Sequence, residues 1–235
     1  MTSLLLVEER LLEAEHFTML LKEHFGLEIQ FNLNAFLSAA RAVTFLIQKE
    51  LRHVPNFDEY WASVQATLRE DEAARFFLEM RNFSQKQGRI GLYGSGGTRK
   101  LRSYTFPHLL GEEPRMIYFF VNGELSVPDS IACLDIVSAC AQHIGKLAEL
   151  TLQTMKEFPF DCCLSAACTP EGAEYHSLEL PDFLKMLGFP TDWMVGVDGM
   201  ERQEAFKLVA RQFDAVDVKS IGRIAQFNEI LTSDA

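Results

Sequence analysis

The residues of this chain best suited to chemistry lie close together at Arg81, Asn82 and Lys86. A guanidinium can hold a phosphate through paired hydrogen bonds, and a neighbouring amide can help to position the same group. The three residues open a segment, between Glu79 and Glu112, that contains basic residues and no acidic one. We name it the basic segment. On an acidic chain, such a concentration of positive charge predicts an anion-binding face, because like charges repel until a ligand neutralises them.

Further along the basic segment, the residues predicted to bind nucleic acid or another anion are Arg89, Arg99, Lys100, Arg102 and Tyr104. Basic residues interleaved with aromatic ones suit stacking on unpaired bases, although the aromatic residues could equally pack within strands. The glycine-rich run at 91–97 lacks the spacing of a phosphate-binding P-loop and predicts a hairpin turn or a mobile loop that touches an anion. Arg81 itself could instead pair with a nearby carboxylate.

Composition limits the kind of protein. The chain has 235 residues, 33 Asp and Glu against 22 Lys and Arg, and a net charge of −11, which argues against coating of nucleic acid or membrane outside the basic segment. No stretch is apolar for long enough to span a membrane, and no basic start precedes Leu4–Val7, so we expect a soluble, cytoplasmic protein. The five cysteines form an odd set, which argues against a complete disulfide framework. Cys162, Cys163 and Cys168 lie near His176 but lack the spacing of a common zinc motif, so we predict buried free thiols there rather than a metal site, and we predict no cofactor.

The elements that must position these residues are mostly helices. Helical periodicity predicts a domain over 1–157, and short strands rich in aromatic residues predict a small β-hairpin insertion at about 89–121. A helical C-terminal extension is predicted over 158–235. The predicted helices cover 3–25, 34–53, 57–87 as one bent helix or two, 129–156, 178–187, 201–213 and 217–231.

The helix predicted over 34–53 is apolar around most of its circumference, which is typical of a central helix in a bundle or of one buried at an oligomer interface. Its polar residues recur at spacings of three, four or seven. They form either a solvent-facing edge or a seam that faces the Arg81 region or a second subunit. For a homodimer, the predicted interface residues are Ser38, Arg41, Phe45 and Gln48.

Three stretches, 34–43, 57–61 and Arg81-Asn82, resemble a prokaryotic HEPN-type domain over roughly residues 3–155. This resemblance implies a helical bundle that is usually dimeric and that is either a metal-independent endoribonuclease or a non-catalytic RNA-binding module. The family signature is an Arg, often followed by Asn, then four to six residues and a His. Arg81 and Asn82 match it, but Lys86 and Gln87 stand where the His is expected.

Because an imidazole titrates near neutral pH and a lysine does not, the missing His removes the usual proton-transfer group. The resemblance therefore implies a non-catalytic or weakly catalytic module that binds RNA or a nucleotide, in a bacterial stress or defence system. One alternative is an endoribonuclease in which Arg81 holds the phosphate, Asn82 positions it, and Lys86 or His108 transfers protons. Another is a structural partner that docks its basic face on an acidic protein.

Overall fold

The structure is a computed structural model that describes residues 3–23, 27–94, 117–119, 126–177, 179, 181–182, 185, 201–213 and 215–227. It is mainly helical, as the sequence predicts. The elements of the first part are α1 (Leu5–Glu23), α2 (Leu27–Leu51), α3 (Phe57–Glu70), α4 (Glu72–Lys86), β1 (Leu92–Gly94), β2 (Ile117–Phe119), α5 (Asp129–Ala132) and α6 (Ile136–Glu157). The later elements are α7 (Leu164–Ala167), α8 (Pro170–Tyr175), α9 (Arg202–Ala210) and α10 (Val218–Ala225).

The core of the bundle lies between α1, α2, α4 and α6, whose buried side chains form one continuous apolar cluster. Helix α2 begins at Leu27, several residues before the predicted start at 34. The reason is that Ile29 and Leu33 are already fully buried in that cluster, and their burial stabilises the additional helical turns. Polar residues between them, such as Asn32, had hidden this periodicity in the sequence.

The stretch predicted over 57–87 forms two helices, and Asp71 separates them. The Asp71 backbone is extended, and its side chain accepts hydrogen bonds from the amides of Ala73 (2.8 Å) and Ala74 (3.1 Å). These bonds satisfy donors at the start of α4 that no preceding turn could satisfy. The cap turns α4 back along α2, and this places the Arg81 end of α4 beside the N-terminal half of α2.

The predicted helix over 129–156 is interrupted, which corrects the expectation of one continuous helix. Helix α5 ends at Ala132, and α6 begins only after Asp135, whose carboxylate accepts from the amides of Val137 (2.9 Å) and Ser138 (3.2 Å). Because a side-chain oxygen replaces the carbonyl partner of these amides, the chain starts a new helix there.

The two short strands pair antiparallel, with Tyr93 opposite Tyr118. Both lie within the stretch predicted as a β-hairpin insertion. Residues 95–116, between the two strands in the sequence, lie outside the described part of the chain. The predicted hairpin insertion at 89–121 therefore stays a prediction.

The C-terminal extension packs against α1 and α6 of the bundle. The amide of Leu4 donates to the carbonyl of Cys162 (2.8 Å), and the amide of Asp217 donates to the Glu8 carboxylate (2.8 Å). In the same region, Arg223 forms an ion pair with Glu15, with Nη2 2.7 Å from Oε2. The predicted helices over 201–213 and 217–231 correspond to α9 and α10, whereas most of 178–187 lies outside the described residues.

Two further properties concern the described residues alone. None of the helices there is long and apolar enough to cross a membrane. All the cysteines are free; Cys133 is exposed, whereas Cys140, Cys162, Cys163 and Cys168 are buried.

Candidate functional site

Arg81 lies half-buried in the last part of α4, with its guanidinium held by the neighbouring amide. Its Nη1 donates to Oδ1 of Asn82 at 3.3 Å, and within the described part of the chain it forms no ion pair with a carboxylate. Its Nε is buried and has no hydrogen-bond partner there. A buried N–H without an acceptor is costly, so Arg81 retains both an unneutralised charge and a donor that a ligand oxygen could satisfy.

Three contacts position this end of α4. Ser84 Oγ lies 2.6 Å from Oδ1 of Asn34 on α2, and the Gln30 side-chain amide donates to the carbonyl of Ile90 at 2.9 Å. On the other side, Phe119 of β2 packs edge-on against Phe76, with ring centroids 5.3 Å apart. These contacts connect α2, α4 and β2, and they hold the start of the basic segment against the bundle.

The other predicted anion-binding residues divide into two groups. Lys86 and Arg89 are exposed and directly follow Arg81 in the structure. Arg99, Lys100, Arg102 and Tyr104 lie outside the described residues, as does His108. The structure thus brings Arg81, Asn82, Lys86 and Arg89 to one end of α4 and leaves the rest of the predicted set as a prediction.

The predicted interface residues of α2 share one solvent-exposed stripe. Its members are Asn34, Ser38, Arg41, Phe45 and Gln48, all exposed. Phe45 keeps 58% of its surface accessible, and Phe31, which continues the same stripe, also keeps 58%. The bond between Asn34 and Ser84 connects one end of this stripe to the Arg81 end of α4. The stripe is therefore a solvent-facing edge of this chain that begins beside the Arg81 region.

The geometry suits anion binding better than proton transfer. The guanidinium and the amide offer hydrogen-bond donors, and Lys86 is an exposed side chain at the end of the same helix. Among the described residues, none of the hydrogen bonds joins Arg81 to a histidine. No group of three or more His, Cys, Asp or Glu side chains in that part of the chain is arranged to hold a metal.

The sequence did not single out Arg69, Arg75 or His143, which line a cavity beside Arg41. Arg69 and Arg75 were obscured because Glu70, Asp71 and Glu72 surround them in the sequence and cancel their charge locally. Only the fold pairs Asp71 with Lys146 (Nζ 2.6 Å from Oδ2) rather than with either arginine, and only the fold brings His143 of α6 to the same cavity.

The family model described as bacteriophage lambda protein ea47 matches residues 3–150. This span is more than half of the 235 residues, and it contains α1 to α5, both strands, most of α6 and the whole basic segment. No curated protein and no solved structure matches the chain.

Proposed function

The chain belongs to the family of bacteriophage lambda protein ea47, and we propose that it is a helical module that binds RNA or a nucleotide through its basic segment. The binding residues are Arg81, Asn82, Lys86 and Arg89, together with Arg99, Lys100, Arg102 and Tyr104. The proposal rests on the contacts of Arg81. Its guanidinium donates to the neutral Asn82 amide rather than to a carboxylate, and its buried Nε has no hydrogen-bond partner among the described residues.

A phosphate would supply what Arg81 lacks. Phosphate oxygens accept charge-assisted hydrogen bonds in the plane of a guanidinium, and the Asn82 side chain already orients that plane. Lys86, the last residue of α4, and Arg89, three residues beyond it, could then neutralise neighbouring phosphates of a single strand. The resemblance to HEPN domains supports this ligand class, and the predicted setting in a bacterial stress or defence system remains part of the proposal.

Binding can be tested with a labelled single-stranded RNA of mixed sequence, titrated over a range of salt concentrations. We expect the wild-type affinity to fall steeply with salt, because binding releases counterions from the phosphates. Lys86→Ala should weaken binding and lower the slope of the salt dependence by about 0.7, the value for one phosphate contact on a single strand. Arg81→Gln should weaken it further, because a neutral amide cannot form the ionic bond.

The matched control is Arg211→Ala, since Arg211 is also exposed but lies in the C-terminal extension. If Arg211→Ala weakens RNA binding as much as Lys86→Ala does, the loss of affinity depends only on the net charge of the protein, and the proposal is contradicted. Thermal unfolding of each variant shows whether a loss of binding reflects a loss of folding.

Endoribonuclease activity is the second candidate, and the positions of Arg81 and Asn82 favour it over other enzyme classes. If the chain cleaves RNA without a metal, cleavage by the wild type should persist in EDTA and be lost in Arg81→Gln. Intact RNA that still shifts in a gel supports the binding module. Intact RNA that does not shift supports the structural partner, whose basic face would dock on an acidic protein.

A further inference from the structure

A cavity of about 300 Å³ lies between α2, α3, α4 and α6, and none of the described residues of the basic segment lines it. Its rim carries three exposed arginines, one from each of the first three of these helices: Arg41, Arg69 and Arg75. Their guanidiniums form no ion pair within the described residues, and none of the described residues lining the cavity is acidic. In a chain with a net charge of −11, three unneutralised arginines at one opening favour an anionic ligand.

The interior of the cavity is mainly apolar, whereas its rim is basic. Leu37, Leu68, Phe77 and Leu147 supply apolar walls, and the His143 ring stacks on Phe77, with centroids 4.2 Å apart and planes inclined by 10°. Such walls exclude water and favour a flat apolar group. The ligand that matches both regions has an apolar body and an anionic head.

One polar atom of His143, a residue that lines the cavity, lacks a partner among the described residues. Nδ1 of His143 is buried, and it has no hydrogen bond among the described residues. Desolvation lowers the pKa of His143 to about 4, so the ring is neutral at pH 7, and each ring nitrogen then either donates or accepts one hydrogen bond. A buried polar atom without a partner is rare in proteins.

We propose that this cavity binds a small aromatic phosphate or carboxylate, with its anionic group held by Arg41, Arg69 and Arg75 and its ring against Phe77 and His143. The volume is at the small end of ligand pockets, which fits a single aromatic ring rather than a polymer. Arg41 is partly positioned for this role, because its Nη1 donates to Thr44 Oγ1 (2.9 Å), another residue that lines the cavity. The inference is independent of RNA binding at Arg81, which does not line the cavity.

Isothermal titration calorimetry of the full chain with four probes tests this site. Phenyl phosphate and benzoate carry both a ring and an anion, whereas inorganic phosphate lacks the ring and benzyl alcohol lacks the charge. We expect at least one of the first two to bind about tenfold more tightly than either of the others, and the tighter of the two identifies the anionic group. Equal binding of phenyl phosphate and inorganic phosphate, or no binding of any probe, would overturn the proposal.

Variants then locate the bound probe. Arg75→Ala and Arg69→Ala remove exposed side chains, so the fold should survive, and each should weaken binding about tenfold, the effect of losing one hydrogen bond to a charged group. Arg52→Ala is the matched control, because Arg52 is an exposed arginine of the same bundle that does not line the cavity. If Arg52→Ala weakens binding as much as Arg75→Ala does, the probe binds elsewhere and the proposal is wrong.

Discussion

His143 shows how one residue of this chain combines core packing with polarity. Its ring stacks on Phe77 and lies 6.4 Å from the ring of Phe36, so it occupies an aromatic position in the core. Burial lowers its pKa to about 4; the charge of Asp71 opposes this shift and that of Lys146 adds to it. The sequence does not single out His143, since nothing in the neighbouring residues indicates that this side chain is buried.

The shifted pKa predicts how stability depends on pH. Unfolded His143 takes up a proton near pH 6.5, whereas folded His143 does so only near pH 4. Between these values the unfolded state binds more protons, so the free energy of unfolding should fall as the pH falls from 6.5 to 4. The contribution of this residue is complete above pH 6.5 and about 3 kcal/mol smaller at pH 4.

Urea unfolding of the wild type and of His143→Leu at several pH values measures this contribution. The variant should lose stability less steeply across the same interval, although it is less stable at pH 7 because the ring contacts are gone. His53→Leu is the control, since His53 is exposed. Identical slopes for the wild type and His143→Leu would show that burial does not shift this titration.

Among the helices, α2 is the one whose exposed stripe raises the question of an oligomer interface. One of its faces is buried against α1, α4 and α6, and the opposite stripe from Phe31 to Gln48 meets solvent. Two phenylalanines on that stripe, each 58% accessible, flank Ser38 and Arg41. We propose that this stripe forms a two-fold homodimer interface, because a self-complementary contact would bury both rings.

Sedimentation equilibrium over a wide dilution series tests the dimer. We expect the wild type to dimerise and Phe45→Glu to remain a monomer, because a buried carboxylate without a partner destabilises an interface strongly. Leu6→Glu provides the comparison, since Leu6 is an exposed apolar residue of α1. A wild-type chain that stays monomeric at the highest concentration would refute the proposal.

At the scale of the whole molecule, the extension and the bundle meet where α10 crosses α6. A Cβ at Gly145 of α6 would lie 3.2 Å from the carbonyl oxygen of Ala225, so the glycine permits the close approach of the two helices. A Cβ at Gly222 of α10 would meet nothing within 4 Å. Substitutions at the two glycines therefore distinguish the role of a glycine in close helix packing from the loss of stability that glycine causes within a helix.

Substitutions at these two glycines should change stability in opposite directions. Gly145→Val should lower the free energy of unfolding by about 1–3 kcal/mol, because its side chain must displace the α10 backbone. Gly222→Ala should raise the free energy by about 0.5–1 kcal/mol, because alanine is the better helix former. Urea denaturation of both variants checks this, and a Gly145→Val protein as stable as the wild type would show that α10 does not pack as closely as described.

The helical class, most of the long helices and the position of the basic segment could all be predicted from the sequence. These features depend on local order along the chain: apolar residues at helical spacing, and a run without acids from Arg81 onward. The sequence could not decide the breaks at Asp71 and Asp135, because aspartate both caps helices and occurs on their wet faces. The predicted start of α2 was too late, because the burial of Ile29 and Leu33 is apparent only in the packed bundle.

Which charged side chains lack an ion-pair partner depends on the tertiary structure and could not be predicted from the sequence. The hydrogen bond of Arg81 to Asn82 rather than to a carboxylate depends on the side chains that the neighbouring helices bring near. The cluster of Arg41, Arg69, Arg75 and His143 joins four helices across about a hundred positions of the chain, from 41 to 143. Sequence patterns report neighbours along the chain, whereas desolvation, ion pairing and cavity shape depend on neighbours in space, and this physical difference separates what could be predicted from what could not.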